Sequence, residues 1–502
     1  MNVAQLLEQS ARWHADRPAL IFGDRQWTYR DLDAQVSALA GGLAGLGLEP
    51  GERIGLHLPN RPDFVLAYYA ALKAGLVPLS LNVTYRAEEI EYIIADASAA
   101  AVITADPAAT NLPGRSALPS VRHLLHANDL PALFGKPLTA LERDRDETAA
   151  ILYTSATTGR PKGVMLTHAN IVSNTYATVH HLRMTPADRG LCALPMFHCF
   201  GQNFILNALV AAGGLLVLQE RFVPELFLAA IREHHITLFY AVPTMYILFL
   251  AADRPHDLGS VRLFFSAAAT LPTDIERRWH ERYGRRIHQG YGLTECSPFA
   301  SYNHDIAVRP GSVGTPIENV EMKIADETGR ELPDGELGEI LIKGPNVMKG
   351  YFGNARATAD SIRNGWLRSG DVGYRDPDGY YYLVDRLKDM INVSGFKVFP
   401  REVEEVLFRH PAVKEAAVVG RPDPVRGEAV AAYVVLTVGA HASAEELRSL
   451  CRSAVASYKV PETIEFIEAL PKNPTGKILK KDLRARGETA GSMKPASTPL
   501  GG

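Results

Sequence analysis

Four small hydroxyl residues, two glycines and two cations crowd into one short segment, Tyr153-Thr154-Ser155-Ala156-Thr157-Thr158-Gly159-Arg160-Pro161-Lys162-Gly163. It follows the apolar run Ala149-Ala150-Ile151-Leu152, which reads as a buried strand, so the segment is a loop leaving a strand end. Glycine lets the backbone come close to an anion, hydroxyls and peptide N–H groups donate to it, and Arg160 and Lys162 supply charge. That is the chemistry of a phosphate cradle, with Thr154, Ser155, Thr157, Thr158, Gly159 and Lys162 as its contacts. It is not a Walker-type loop, because the chain contains no G-x-x-x-x-G-K-[ST]. On this segment alone, an ordinary Ser/Thr/Gly-rich loop remains the competing reading.

Four further segments point the same way. In Gln289-Gly290-Tyr291-Gly292-Leu293-Thr294-Glu295 the glycines clear space and Tyr291 offers a flat face for an adenine. Thr294 can donate to a phosphate, and Glu295 is a hard oxygen ligand for Mg²⁺. Ser369-Gly370-Asp371 places a carboxylate suited to accepting from two ribose hydroxyls. Asp385-Arg386-Leu387-Lys388-Asp389 precedes Asn392-Val393-Ser394-Gly395-Phe396-Lys397, and Pro471-Lys472-Asn473-Pro474-Thr475-Gly476-Lys477 stands near the C-terminus. Singly these are a turn, a helix entry or a solvated lysine; all of them in this order are not coincidence.

On these segments the chain resembles the adenylate-forming superfamily, and within it the fatty-acyl-CoA and coumarate-CoA ligases, over about residues 3–486. The resemblance implies ATP, Mg²⁺ and coenzyme A as the small molecules handled, and a reaction in two steps. A carboxylic acid attacks the α-phosphate of ATP to give an acyl-adenylate and pyrophosphate; a thiol then takes the acyl group and AMP leaves. Positioning and charge neutralisation carry such phosphoryl transfer. In that scheme the 154–162 loop and Gln289 and Gly290 bind nucleotide, Tyr291 stacks on adenine, and Asp371 and Arg386 fix the ribose. Lys477 is the main catalyst of the first step, with Thr294 and Glu295 beside it. Lys388 is the hinge about which a C-terminal lid rotates, bringing in Ser394, Gly395 and Lys397, with Gly395 leaving room for the pantetheine arm.

The implied acyl pocket is drawn from His198 as gate, in Pro195-Met196-Phe197-His198-Cys199-Phe200-Gly201, with Phe200, Phe204, Ala267, Ala268, Gly292 and Pro298. No Asp in 197–201 is available to bind an amino group, which counts against an amino-acid substrate. A medium or long aliphatic acid is expected, with an aryl acid behind it. A carrier protein's phosphopantetheine is the alternative acceptor, and a degenerate acyl or nucleotide binder the non-enzymatic reading. Two departures bear on that last reading. Ala156 stands where the family usually has glycine, and Ser266-Ala267-Ala268-Ala269 where it has Ser-Gly-Gly/Ala-Ala. A Cβ is costly wherever the backbone needs a positive φ.

These residues need a scaffold, and the rest of the chain describes it. At 502 residues, 46% hydrophobic and 22% charged, this is a globular protein too long for one core. A net charge of −3 argues against nucleic acid as a partner, and four cysteines without C-x-x-C spacing imply neither zinc nor disulfides. Residues 191–219 carry no charge, but Pro195, His198, Gln202, Asn203, Asn207 and Gly213-Gly214 interrupt them, so they read as buried strand, loop and helix rather than a membrane span. With an acidic N-terminus unlike a signal peptide, a cytoplasmic monomer or homodimer is expected.

A helix over 6–13 and a hairpin turning at Gly23-Asp24 lead into a helix capped by Thr28-x-x-Asp31. Strands at 53–58, 76–81 and 100–104 alternate with helices at 62–73 and 88–95, the signature of an α/β fold with parallel sheets. From 322 to 389 short strands and Gly turns indicate a β-rich subdomain. The expected architecture is a large N-terminal domain at 1–384, a hinge at 385–388, a small mobile α+β lid at 389–486 and a disordered tail at 487–502.

Overall fold

A computed structural model describes residues 1–105, 111–154, 160–251, 256–304, 307–473 and 476–491, with side chains to 486. Among these residues two large sheets carry the N-terminal domain. In the nine-stranded sheet, Ile287–Tyr291, Leu263–Ser266, Leu238–Ala241, Arg189–Cys192, Leu215–Leu218 and Pro18–Phe22 run parallel side by side. In the seven-stranded sheet, Thr148–Thr154, Val77–Ser80, Arg53–His57, Ala101–Thr104 and His123–His126 do the same. Strands such as Val77–Ser80, Ala101–Thr104 and Leu263–Ser266 are buried throughout, as a parallel strand covered on both faces must be.

The helix Pro62–Lys73 shows how closely local sequence sets an element here. Proline opens it at a position where no N–H is needed, and Lys73 closes it. Likewise Thr28 Oγ1 accepts from the Asp31 N–H at 3.1 Å while Asp31 Oδ2 accepts from the Thr28 N–H at 3.1 Å, the reciprocal box that starts the helix Tyr29–Gly45. The partner of the N-terminal hairpin was not foreseeable. Besides its hairpin partner Arg25–Thr28, Pro18–Phe22 pairs in parallel with Leu215–Leu218, nearly two hundred residues later in the chain. The uncharged stretch after Cys192 folds as a π-helix at Phe200–Asn207, a short helix at Ala208–Ala212 and a strand, all buried. No described helix is long and apolar enough to cross a membrane.

Glu321–Ala325, Gly338–Lys343, Ile362–Arg363, Trp366–Arg375 and Tyr381–Arg386 form an antiparallel sheet, with left-handed glycines at Gly329, Gly335 and Gly379. Beyond Asp389 a further sheet, with Gly427–Leu436 at its centre and Val413–Asp423 at its edge, packs on the helices Pro400–Phe408 and Ala444–Ala454 around its own core of Val403, Leu407, Val418, Val434 and Leu447. The last helix, Lys480–Gly491, runs through the start of the expected tail; 492–502 lie outside the described residues.

Candidate active site

The strand Ile287–Tyr291 ends at the junction of the N-terminal domain and the antiparallel sheet, and its glycines serve the protein's own packing. A Cβ on Gly290 would lie 2.4 Å from Phe265 Cζ, and one on Gly292 would lie 1.7 Å from the Pro298 carbonyl oxygen. Tyr291 is therefore held rigidly. Its hydroxyl donates to Asp371 Oδ2 at 2.8 Å, and Asp371 Oδ1 lies 3.2 Å from Arg386 Nε. Asp371 and Arg386 meet because they are cross-strand partners in the hairpin of Trp366–Arg375 and Tyr381–Arg386. Burial, then the Asp371 charge, pushes the Tyr291 phenol well above its ordinary range, so it remains a donor. Burial opposes the Arg386 charge, but Asp371 and Tyr291 more than offset it. Gln289 is tied from the other side, donating to Glu276 Oε2 at 3.3 Å.

A second cluster forms on the seven-stranded sheet. Thr154 and Lys162 are directly paired across the antiparallel strands Thr148–Thr154 and Lys162–Thr167. Ser155, Ala156, Thr157, Thr158 and Gly159 lie outside the described residues. Next to Lys162–Thr167 runs the short strand Gly350–Tyr351, with Tyr351 opposite Val164. Lys162 Nζ sits 4.9 Å from the Tyr351 ring centroid, a cation–π contact, and the Tyr351 hydroxyl donates to Glu295 Oε1 at 3.0 Å. One tyrosine thus links the cradle lysine to the expected Mg²⁺ ligand. Burial raises the Glu295 carboxyl above its usual range, against the Tyr351 hydrogen bond and the Arg386 charge. Thr294 opens the buried turn Thr294–Cys296 that carries it. Among the described residues no three His, Cys, Asp or Glu converge as a metal cage. Glu295 fits a Mg²⁺ ion that takes its other oxygens from phosphate and water.

Lys477 arrives from the C-terminal domain. Its loop is closed by Asn473, whose N–H donates to the Lys477 carbonyl at 2.9 Å and whose Oδ1 accepts from the Lys477 N–H at 2.9 Å. Gly476, at φ +78, lies so close to the N-terminal domain that a Cβ there would stand 3.1 Å from Val242 Cγ2. Val242 lines a cavity of about 10 Å³ with Leu194, Pro195, His198, Phe200, Gly201 and Ala268. Burial, then the neighbouring Arg386, lowers the Lys477 ammonium to about 7. His198 feels burial first and Lys477 second, and falls to about 4. It is neutral at pH 7, and because its Nδ1 accepts from the Phe200 N–H at 3.2 Å, the ring proton sits on Nε2.

The structure therefore brings together Lys477, Asp371, Arg386 and Tyr291, and separately Lys162, Glu295 and Tyr351. His198, Phe200 and Ala268 line one cavity; Gly292 packs on Pro298 nearby, and Ala267 contacts the aromatic core. It does not bring Ser394, Gly395 and Lys397 to this place: they are exposed on the hairpin between Ile391–Val393 and Phe396–Val398. Lys388 is exposed as well. Tyr351 was absent from the sequence reading. Its signal, a lone aromatic in Gly350-Tyr351, is too short to stand out.

Residues 7–352 match the AMP-binding enzyme family and residues 402–477 match the AMP-binding enzyme C-terminal domain. The chain is 37% identical over 480 residues to a feruloyl-CoA synthase of an Amycolatopsis species, covering 95% of this chain and 97% of that one. It is also 37% identical over 528 residues to a long-chain-fatty-acid–CoA ligase of Bacillus subtilis strain 168, covering 96% and 94%. Among solved structures, the anthranilate CoA ligase AuaEII in complex with anthranoyl-AMP superimposes with a TM-score of 0.93 at 31% identity, over 98% of both chains.

Proposed function

The chain belongs to the AMP-binding enzyme family, and we propose that it joins a carboxylic acid to the thiol of coenzyme A through an acyl-adenylate. The observation that carries this reading is the delivery of Lys477 by the C-terminal domain to the electrostatic neighbourhood of Asp371, Arg386 and His198. A lysine so placed can neutralise charge at both the α-phosphate and the attacking carboxylate. The acid's oxygen attacks the α-phosphorus as the bond to the β-phosphate oxygen breaks, and pyrophosphate leaves. Lys162 and the cradle hold the leaving phosphates, and Mg²⁺ on Glu295 supplies further charge neutralisation when bound. Asp371 retains lone pairs beyond those used by Tyr291 and Arg386, which ribose hydroxyls can occupy.

In the second half-reaction the thiol sulfur attacks the acyl carbon, AMP departs with the bridging oxygen, and the thiol proton goes to solvent. Ser394, Gly395 and Lys397 lie away from Lys477, so their use in this step requires the domain to turn about 385–388, with Lys388 as pivot. Only a small cap carries both sets of residues, which makes that exchange economical in moving mass.

The acid is read from what stands behind His198. Phe200 leads into a packed aromatic cluster in which Phe204 lies 4.6 Å from Phe265, 5.1 Å from Phe299 and 5.2 Å from Phe200, centroid to centroid. This favours a compact or planar acid over a long chain. An aliphatic acid is the second reading, favoured by the absence of a polar tail-binding group among the residues lining the cavity. The test is to supply ATP, Mg²⁺, coenzyme A and a panel of aryl, short-chain and long-chain acids, with mass detection of products. Acyl-CoA from ring-bearing acids is the expected result. Acyl-adenylate without acyl-CoA would point to a carrier-protein acceptor, and no adenylate from any acid would overturn the reading.

A further inference from the structure

The helix Thr273–Tyr283 follows Pro272 and has no side-chain cap of its own. Its first N–H groups nevertheless need partners, as in any helix. One is supplied from the other domain. Glu405 Oε2 accepts from the Thr273 hydroxyl at 2.7 Å and from the Thr273 N–H at 3.3 Å. A carboxylate at that end also meets the positive pole of the helix. Glu405 stands on the helix Pro400–Phe408, one turn after Arg401, whose Nε lies 3.6 Å from Glu405 Oε1. The Arg401 N–H donates to Asp385 Oδ2 at 2.9 Å and its guanidinium donates to the Leu383 carbonyl. In the first turn of the Thr273–Tyr283 helix, Glu276 accepts from Gln289 at 3.3 Å and from the Gly311 N–H at 3.2 Å. A continuous chain of contacts therefore runs from the linker at Asp385, through Arg401 and Glu405, to the strand that carries Tyr291.

We propose that Glu405 is a positioning residue for Lys477, its grip on the N-terminus of the Thr273–Tyr283 helix acting as a reversible latch that holds the C-terminal domain in the arrangement presenting Lys477. This rests on the two-step reading above. A hydrogen bond of 2.7 Å does not survive a displacement of several ångströms, so the latch stabilises this arrangement and no other in which the domain has turned. A ligand or contact that distinguishes two arrangements shifts their populations by its differential free energy. A charge-assisted pair of hydrogen bonds at a partly exposed boundary is worth roughly a tenfold shift. The latch is strong enough to favour the first half-reaction and weak enough to let the domain leave.

The experiment compares Glu405→Ala, Thr273→Val and Thr273→Ser with the parent. The first half-reaction is followed by acid-dependent exchange of pyrophosphate into ATP, the second by thioester formation from preformed acyl-adenylate and coenzyme A. Domain position is read without substrates, from spin labels on cysteines placed at the exposed positions Tyr176 and Val438, the native cysteines being buried. Glu405→Ala and Thr273→Val are expected to slow exchange roughly tenfold, to leave thioester formation undiminished and to broaden the label distances, while Thr273→Ser behaves as the parent. Unchanged distances, or an equal loss in both half-reactions, would overturn the latch. A parent protein that exchanges pyrophosphate with no acid would overturn the two-step reading instead, and the distances would still decide the latch.

Discussion

The nucleotide side of the site and the side contributed by the C-terminal domain hold their functional groups by opposite means. On the nucleotide side several key residues are fixed by strand register: Asp371 opposite Arg386, Lys162 opposite Thr154, Tyr351 opposite Val164. Tyr291 and Asp371 are buried and bonded to each other. On the C-terminal side the groups stand on turns. Lys477 follows the left-handed Gly476, and Ser394 and Gly395, at φ 51 and 87, form a two-residue hairpin turn exposed to solvent. In the proposed scheme the groups assigned to the nucleotide form a wall set by sheet register, whereas the groups assigned to each chemical step ride on turns, the tips of the C-terminal domain. Substitutions at Tyr291, Asp371 and Arg386 should therefore affect both half-reactions, and substitutions on the tips only one.

The sharpest way to break that contrast is Lys477→Ala. Removing a cation that acts in the transition state of the first step should slow acid-dependent pyrophosphate exchange by about 10²–10³-fold, and leave thioester formation from preformed acyl-adenylate within about twofold. An equal loss in both would mean that Lys477 belongs to the wall. The same lysine offers a proton count. Burial lowers it to about 7, so at pH 8 most of it is neutral in the free protein and at pH 6 most is charged. Bound phosphates favour the ammonium and raise its pKa. ATP binding should then take up close to about one proton at pH 8 and almost none at pH 6. Calorimetry in buffers of different ionisation enthalpy measures this, and Lys477→Met should abolish it.

A smaller effect is expected at Tyr351, on the wall. Tyr351→Phe keeps the ring beneath Lys162 but removes the hydroxyl that orients Glu295. Loss of one hydrogen bond to a carboxylate predicts about a tenfold higher Mg²⁺ requirement, with a lesser change in kcat once Mg²⁺ is saturating. Tyr351→Leu also removes the cation–π contact and should raise KM for ATP a further few-fold. Steady-state kinetics across a Mg²⁺ series separates the two. If both variants kept parental Mg²⁺ dependence, Tyr351 would be packing alone.

What could be read from the chain in advance follows the same division between local and distant causes. The capping box at Thr28, the proline-opened helix at Pro62–Lys73 and the hairpin turn at Gly23-Asp24 are decided within a few residues, and the structure has them where the spacing puts them. The contact of Asp371 with Arg386 was implied only as a shared ribose role; their direct pairing depends on the register of two strands. Tyr351 and Glu405 could not be found at all, because their meaning lies in partners 56 and 132 residues away. The glycines at 290 and 292 illustrate a subtler limit. Their need for space was legible, but what fills it is Phe265 and the Pro298 carbonyl rather than a ligand.

The smallest expected effect concerns the alanine string after Ser266, which departs from the family pattern. Ala267 does not take a positive φ, whereas Ala268 stands at φ +67, a conformation that costs an L-residue with a Cβ about 1 kcal/mol or more. Ala268 lines the cavity beside His198, so the strain sits at the proposed acyl site. Ala268→Gly removes that strain but gives the unfolded chain more freedom, and where φ is positive the first effect exceeds the second. The variant should gain about 0.5 kcal/mol, seen as a Tm higher by about 1 °C. If the alanine is retained because its methyl group touches the acid, the more stable variant will also bind its acid more weakly, with a raised KM for the acid and an unchanged KM for ATP. A gain in stability with no change in either KM would place Ala268 with the wall rather than with the substrate.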